Sequence, residues 1–402
     1  MRTRVNRHSC GAAGLASVED MNPYDENRPP RPTPPPTDGP PPAAPGPGAV
    51  PAGAPQGPAG RSEQVGPYPP PAPSGQYVPP GATAPPPRRR GPRPVPPGVP
   101  YHLVLADEKR RIWRGIAALA LLVGGMFLFS IVLTLLAAVI DTLLGRDSLL
   151  TGGTELTPVA MGLNLIALAL LLPWSMLIQR WLYGVRAASL HSVRSLFRPE
   201  VFGRAFLLIF PVWAVYMTAF TAFTPVEEVS WRVADLLAMF VVILVVVPLQ
   251  SAGEEYGLRG LAFRVAASWG RGPRAALVVG VVVSSLLFMV IHFAADPWLN
   301  VYYFTFGVTL ALITWRTGGL ETAVVIHAVN NTIAFLTVVL LRSDPAAWID
   351  RSVGVGSALM LVPCALLIAV TAVVWWRTRE SGPALTPAGP HGTGPHQEQE
   401  AR

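Results

Sequence analysis

The sequence predicts an all-α, polytopic membrane helix bundle of about eight transmembrane helices, preceded by a disordered Pro-rich tail. Three observations predict it. Half of the 402 residues are hydrophobic and only 14% are charged, less charge than soluble domains carry. About 30 of the 44 prolines crowd into the first 100 positions, so the remainder is more apolar than the average. From Ile112 onward that remainder breaks into apolar runs, each near the ~20 residues that cross a bilayer as a helix.

Residues 1–100 mix Pro, Gly and Ala with scattered Arg. Such a stretch has too little apolar surface to offset its ordering entropy, and its Pro–Pro steps favour extended polyproline II. It is expected to be a disordered cytoplasmic tail, with a Pro-binding partner as its one functional reading. Met1 to Gly60 contains no signal-peptide core, and the change of character near Met21 leaves Met1 or Met21 as the start. The membrane domain is expected over 101–380, with a motif core at about 230–345, and a second disordered tail over 381–402.

The apolar runs lie at about 113–140, 157–179, 205–223, 233–252, 275–295, 299–316, 320–341 and 356–376. Pro173 and Pro248 fall inside spans, which membrane helices tolerate. Trp113, Trp181, Trp298, Trp348, Trp375 and Trp376 sit near span ends, as an interfacial belt requires. Arginines gather before the first span, after the second (Arg180, Arg186, Arg194, Arg198, Arg204), after the fourth (Arg259, Arg264, Arg271, Arg274) and after the eighth (Arg377, Arg379). The alternate loops are acidic or mixed, so the positive-inside rule places both termini in the cytoplasm. A multi-pass protein of a bacterial plasma membrane is expected; the near-exclusive use of Arg, with Lys109 the single lysine, suggests a GC-rich genome.

The formal charge of +7 therefore reflects membrane topology. No aromatic-interleaved basic patch points to nucleic acid. Two cysteines, Cys10 and Cys364, define neither a disulfide framework nor a cysteine zinc site.

Three polar clusters interrupt the apolar half of the chain: Glu254-Glu255 with Arg259, Phe288 with His292, and His327 with Asn331. Ionisable groups inside membrane helices are costly and usually functional. On a helix Glu255 and Arg259 share a face and can pair, while Glu254 lies about 100° around the axis. Together the clusters supply a carboxylate, a counter-charge, two imidazoles and an amide, which suits water activation, proton shuttling and oxyanion stabilisation. Singly, a Glu pair is a solvated face, a lone His a packing residue and Asn331 an interhelical bond. Their conjunction in a region almost free of charge carries the functional reading.

Depth tightens it. If the fourth helix continued to a turn at Gly270–Arg274, Glu254 and His292 would both lie about 24–27 Å from that turn. The Glu motif is therefore expected inside a helix longer than hydropathy shows. His327 lies only about 12–15 Å past its own turn, and tilt has to close the gap.

At these residues the sequence resembles the CPBP family of intramembrane proteases, also called CAAX proteases or the Abi family, whose pattern is EExxxR, FxxxH, then HxxxN. All three motifs are present in order, over about residues 230–345, with Leu258 where many members have Phe. The resemblance implies that Glu254 is the general base, that His292 and His327 position the water or bind a metal, and that Asn331 stabilises the oxyanion. Glu255 with Arg259 would be structural support. A zinc, if used, would be held by Glu254, His292 and His327; a metal-free, glutamate-dependent route is equally open. The implied activity is intramembrane peptidase cleavage of a membrane-associated peptide or protein within the lipid bilayer, without the prenylated substrate of eukaryotic members. The alternatives are a non-catalytic immunity or scaffold protein of the same fold, and a small proton-coupled transporter, against which the absence of internal repeats counts.

Overall fold

The computed structural model describes residues 91–106, 111–222, 228–344 and 349–388. Among them there is no β-strand, only isolated bridges. Eight long helices follow one another: α1 (Ile112–Leu143), α2 (Pro158–Tyr183), α3 (Pro199–Ala222), α4 (Val233–Ala267), α5 (Pro273–Val290), α6 (Pro297–Thr317), α7 (Glu321–Leu340) and α8 (Ala358–Arg377).

All but α6 are long and apolar enough to cross a membrane. Helix α6 carries Asn300, Tyr302, Tyr303, Thr309 and Arg316, which lower its hydropathy, and it is wrapped by α5, α7 and α8. A helix that meets protein on most sides does not need a lipid-facing composition. The outer helices do: Leu128, Ile131 and Leu135 of α1 and Leu207, Leu208 and Val215 of α3 are exposed. Apolar side chains turned outward in this number suit acyl chains as solvent.

Local signals set the helix ends. Thr157 caps α2, its hydroxyl accepting from Ala160 N at 3.0 Å, and Pro158 opens the first turn. Asp296 caps α6, accepting from Trp298 N at 2.8 Å and Leu299 N at 3.1 Å, again followed by Pro. Both use the preference for a side-chain acceptor before a proline that lacks a donor. Gly184 and Gly318 end α2 and α6 in the left-handed region, at φ 68° and 66°.

Three boundaries differ from hydropathy. Helix α3 starts at Pro199, six residues before the apolar run, because Glu200 and Arg204 in its first two turns depress the hydropathy there. Helix α4 does not stop near 252. It runs to Ala267, passing through Pro248 and turning π-helical over Tyr256–Ala262. Hydropathy misses this half because Glu254, Glu255, Arg259 and Arg264 depress the average, yet all four are buried. Helix α5 ends at Val290, so His292 stands in the turn beyond it, where Phe293 reverses the chain at φ 50°.

The bundle has two dissimilar ends. At one, residues 93–103 and 384–386 form a clasp. Arg93 N donates to Gly184 O at 2.8 Å, Thr386 N to Val99 O at 2.9 Å and Gly98 N to Thr386 O at 3.2 Å. Tyr101 and His102 are buried beneath it, His102 stacked on Phe263 and Tyr101 under the Arg264 guanidinium at 3.7 Å. The expected tail boundaries at 100 and 381 cut through this clasp, so the packed body is longer at both ends. Residues 1–90 and 389–402, the rest of the expected tails, lie outside the described residues. Arg198 completes this end, bonded to Glu321 at the start of α7 at 2.6 and 2.9 Å.

At the other end Arg146, just past α1, reaches Asp235 of α4 at 2.7 Å and Glu155 at 2.8 Å. Asp296 accepts from Gly354 N at 2.9 Å, tying the entry of α6 to the loop before α8.

Two outcomes follow from this packing. A chain starting at Gly91 should keep the full-length melting midpoint, whereas one starting at Tyr101 should melt lower, since each clasp bond contributes about 0.5–1.5 kcal/mol. Thermal unfolding of the two truncations in detergent checks this. At Gly253, α4 touches α2 so closely that an added Cβ would meet the Leu168 carbonyl and lie 2.8 Å from Ala169 Cα. Gly253→Ala should cost about 1–3 kcal/mol by overpacking, read as a lower melting midpoint.

Candidate active site

Helix α4 presents Gln250, Glu254, Glu255 and Arg259 to the interior, and all are buried. Glu255 Oε1 lies 3.0 Å from Arg259 Nη1, the i, i+4 pair that the spacing predicted. The guanidinium is also laid over the Phe288 ring at 3.9 Å and near Phe306 at 5.7 Å. Cation–π contact of this kind adds to the ion pair where water is excluded.

The same Glu255 oxygen takes a second partner across the bundle, His327 Nδ1 of α7 at 2.7 Å. With Glu255 ionised beside Arg259 it can only accept, so Nδ1 carries the imidazole proton. Nε2 then faces the Glu254 carboxylate, 3.8 Å from Oε2. The Phe306 ring at 5.0 Å and the Phe288 ring at 6.0 Å meet His327 edge-on and hold its plane.

His292 is fixed in a parallel manner. Its Nδ1 donates to Phe288 O at 2.6 Å, and its ring stacks on Tyr303 at 4.0 Å and leans on Phe288 at 4.5 Å. A carbonyl can only accept, so here too the outward nitrogen is Nε2.

A chain of amides orients the remaining groups. Trp213 Nε1 of α3 and the Tyr302 hydroxyl donate to Asn330 Oδ1 at 3.2 and 3.4 Å. Asn330 Nδ2 donates to Asn331 Oδ1 at 3.1 Å, Asn331 Nδ2 to Gln250 Oε1 at 3.3 Å, and Gln250 Nε2 to Glu254 Oε1 at 2.5 Å. Every amide in the series donates in the same direction, toward Glu254. Among the described residues Oε2 of Glu254 is left without a hydrogen-bond partner, as is Oε2 of Glu255.

Two cavities meet here, of about 520 and 450 Å³. His292, Asn331, Phe335 and Arg351 wall both. His327 faces the first, which is lined by aromatic rings; Glu254 and Gln250 face the second, lined by aliphatic side chains.

Glu254, Glu255, Arg259 and His327 thus stand in one contact group, Asn331 joins it through Gln250, and His292 shares its cavities. Two features went unread in the sequence. Gln250 lies one turn before Glu254 in an otherwise apolar run, so the i, i+4 spacing applied to Glu255 and Arg259 could have found it. Tyr303 and Phe306 carry no signal of their own.

The donor types suit zinc, and both histidines have Nδ1 tied to an oxygen as ligating histidines do. Their arrangement does not: among the described residues no three His, Cys, Asp or Glu are gathered closely enough to hold a metal ion.

Arg259→Ala should remove the charge that answers Glu255 and leave the His327 bond as its remaining partner. Breaking a buried pair in this way costs about 3–5 kcal/mol, so the variant should lose much of its melting midpoint in detergent. Arg259→Lys should recover only part, because an ammonium lacks the planar face that lies on Phe288.

Comparison with known proteins adds the family. Residues 233–333, which contain every motif residue named above, match the type II CAAX prenyl endopeptidase Rce1-like family. An uncharacterized Bacillus subtilis (strain 168) protein, YyaK, is 33% identical over 94 residues, which cover 22% of this chain and 30% of that protein. The chain thus aligns with less than a third of that relative's length. No solved structure matches. The all-helical, multi-pass chain is therefore similar, over residues 233–333, to the Rce1-like CAAX endopeptidase family, consistent with a CPBP-family protease.

Proposed function

We propose that the chain is an intramembrane endopeptidase that hydrolyses a peptide bond of a membrane-associated substrate with water activated by Glu254. One observation carries the reading: the unpartnered Oε2 of Glu254 faces His327 Nε2 across 3.8 Å. A water bonded to both would be held by two acceptors.

Glu254 removes a proton from that water, and the resulting hydroxide attacks the scissile carbonyl carbon. His327, with its other nitrogen tied to Glu255, keeps Nε2 aimed at the water throughout. The carbonyl oxygen gains negative charge and takes a hydrogen bond from the second N–H of Asn331, whose first is given to Gln250. Glu254 then returns its proton to the leaving amine as the C–N bond breaks. His292, at the junction of the two cavities, bounds the water on the far side.

Glu254→Gln should abolish cleavage of membrane-spanning reporter peptides in proteoliposomes and leave the melting midpoint nearly unchanged, because it keeps size and the bond to Gln250. Asn331→Ala should lower kcat about 10²–10³-fold, the usual loss of one oxyanion donor. Cleavage that survives Glu254→Gln would sink the assignment. A folded wild type inert on every reporter would favour the scaffold reading. Cleavage lost to a chelator and restored by zinc would make Glu254, His292 and His327 ligands.

A further inference from the structure

Among the described residues, both cavities open at the same end of the bundle. The first rises past Thr221, the end of α3, to Ser343, Asp344 and Asp350 after α7. The second rises past Ala160 of α2 to Leu149, Leu156 and Trp231 in the loops before α2 and α4. No residue lining either one belongs to the clasp end. That end is closed by bonded loops: Val193 N donates to Gly318 O at 2.7 Å, Leu320 N to His191 O at 3.0 Å, and Arg198 is locked on Glu321.

The arginines divide the two ends unequally. Arg93, Arg114, Arg186, Arg194, Arg271 and Arg377 lie at or near the clasp end, whereas the cavity end mixes Arg146, Arg232, Arg342 and Arg351 with Asp147, Glu155, Glu228, Asp296, Asp344 and Asp350. By the positive-inside rule the sealed clasp end is cytoplasmic and the open end faces away from the cytoplasm.

Accordingly, we propose that the site is loaded from the extracytoplasmic side, and that its substrate is an extended polypeptide segment on that side with apolar residues flanking the cleaved bond. This rests on the peptidase reading for the word substrate, but not for the direction of opening. The two-lobed shape selects the occupant. The Glu254–His327 pair sits where the lobes join, so a chain lying across it places one flank against the aliphatic wall and the other against Tyr216, Tyr302 and Phe306. Each lobe is within the size range of ligand pockets and holds a few side chains. Asp350 and Arg351 at the rim can meet the polar backbone as it enters.

Cysteine accessibility tests the direction independently of catalysis. In a Cys10→Ser, Cys364→Ser background, single variants Thr337→Cys in the first cavity, Asn164→Cys in the second and Arg271→Cys at the clasp end are treated with a membrane-impermeant maleimide. The two cavity variants should label in intact spheroplasts, and Arg271→Cys only in inverted vesicles. Cavity cysteines that label only in inverted vesicles, or from neither side, overturn the proposal. A second arm places one apolar reporter segment next to a membrane span on either side. Cleavage of the extracytoplasmic copy alone is expected, and cleavage of the cytoplasmic copy overturns the proposal. If neither copy is cut while labelling is as expected, the opening stands and the peptidase reading fails.

Discussion

Arg259 is a cation that cannot discharge itself, and it is buried in the bundle. Moving such a charge out of water costs several kcal/mol unless a partner and good geometry offset it. Glu255 supplies the opposite charge from the same helix, so that pair forms as soon as α4 does. The rest of the compensation comes from elsewhere. Phe288 of α5 and Phe306 of α6 offer ring faces, and His327 of α7 bonds the same Glu255 oxygen that faces the guanidinium. One guanidinium thereby fixes the mutual placement of four helices. It also fixes which nitrogen of His327 turns toward Glu254, so the chemistry of the site is a consequence of how its charge is neutralised.

Much of this was legible in the chain. Apolar run lengths gave the helices, and the i, i+4 spacing gave the Glu255–Arg259 pair. The depth arithmetic required α4 to run on past 252, and it reaches Ala267. What stayed hidden has physical reasons. Hydropathy averages over polar groups without knowing that they are paired, so it ended α4 early and could not register α6 as buried on most sides. His292 falls inside the expected apolar run at 275–295, yet it sits two residues past the end of α5, where Phe293 reverses the chain; the tilted ring contact with Phe288 survives because a turn keeps the same four-residue reach. The clasp was invisible because Pro-rich composition says what a segment cannot do alone and nothing about a groove that will hold it.

The amide series from Trp213 to Glu254 shows a different economy. Amides accept and donate at once, so a row of them carries a fixed polarity without adding net charge. Placed between α3, α7 and α4, the row holds one oxygen of Glu254 and leaves the other open, which a second cation near the site could not do without pairing both. The close approach of α4 to α2 at Gly253 brings the carboxylate deep enough to use this, since any side chain there would hold the helices apart.

The clasp joins Val99 to Thr386, positions 287 residues apart in sequence. In a free chain, closing a loop of that size would cost on the order of 5 kcal/mol of entropy. In a bilayer most of that is already removed once the intervening helices are inserted and confined to a plane. The order of synthesis then matters. At ~5–20 residues per second the first strand of the clasp waits roughly 15–60 s for the second to leave the ribosome. Through that interval Tyr101 and Arg264 have no lid, and the clasp end closes only after α8 has been made.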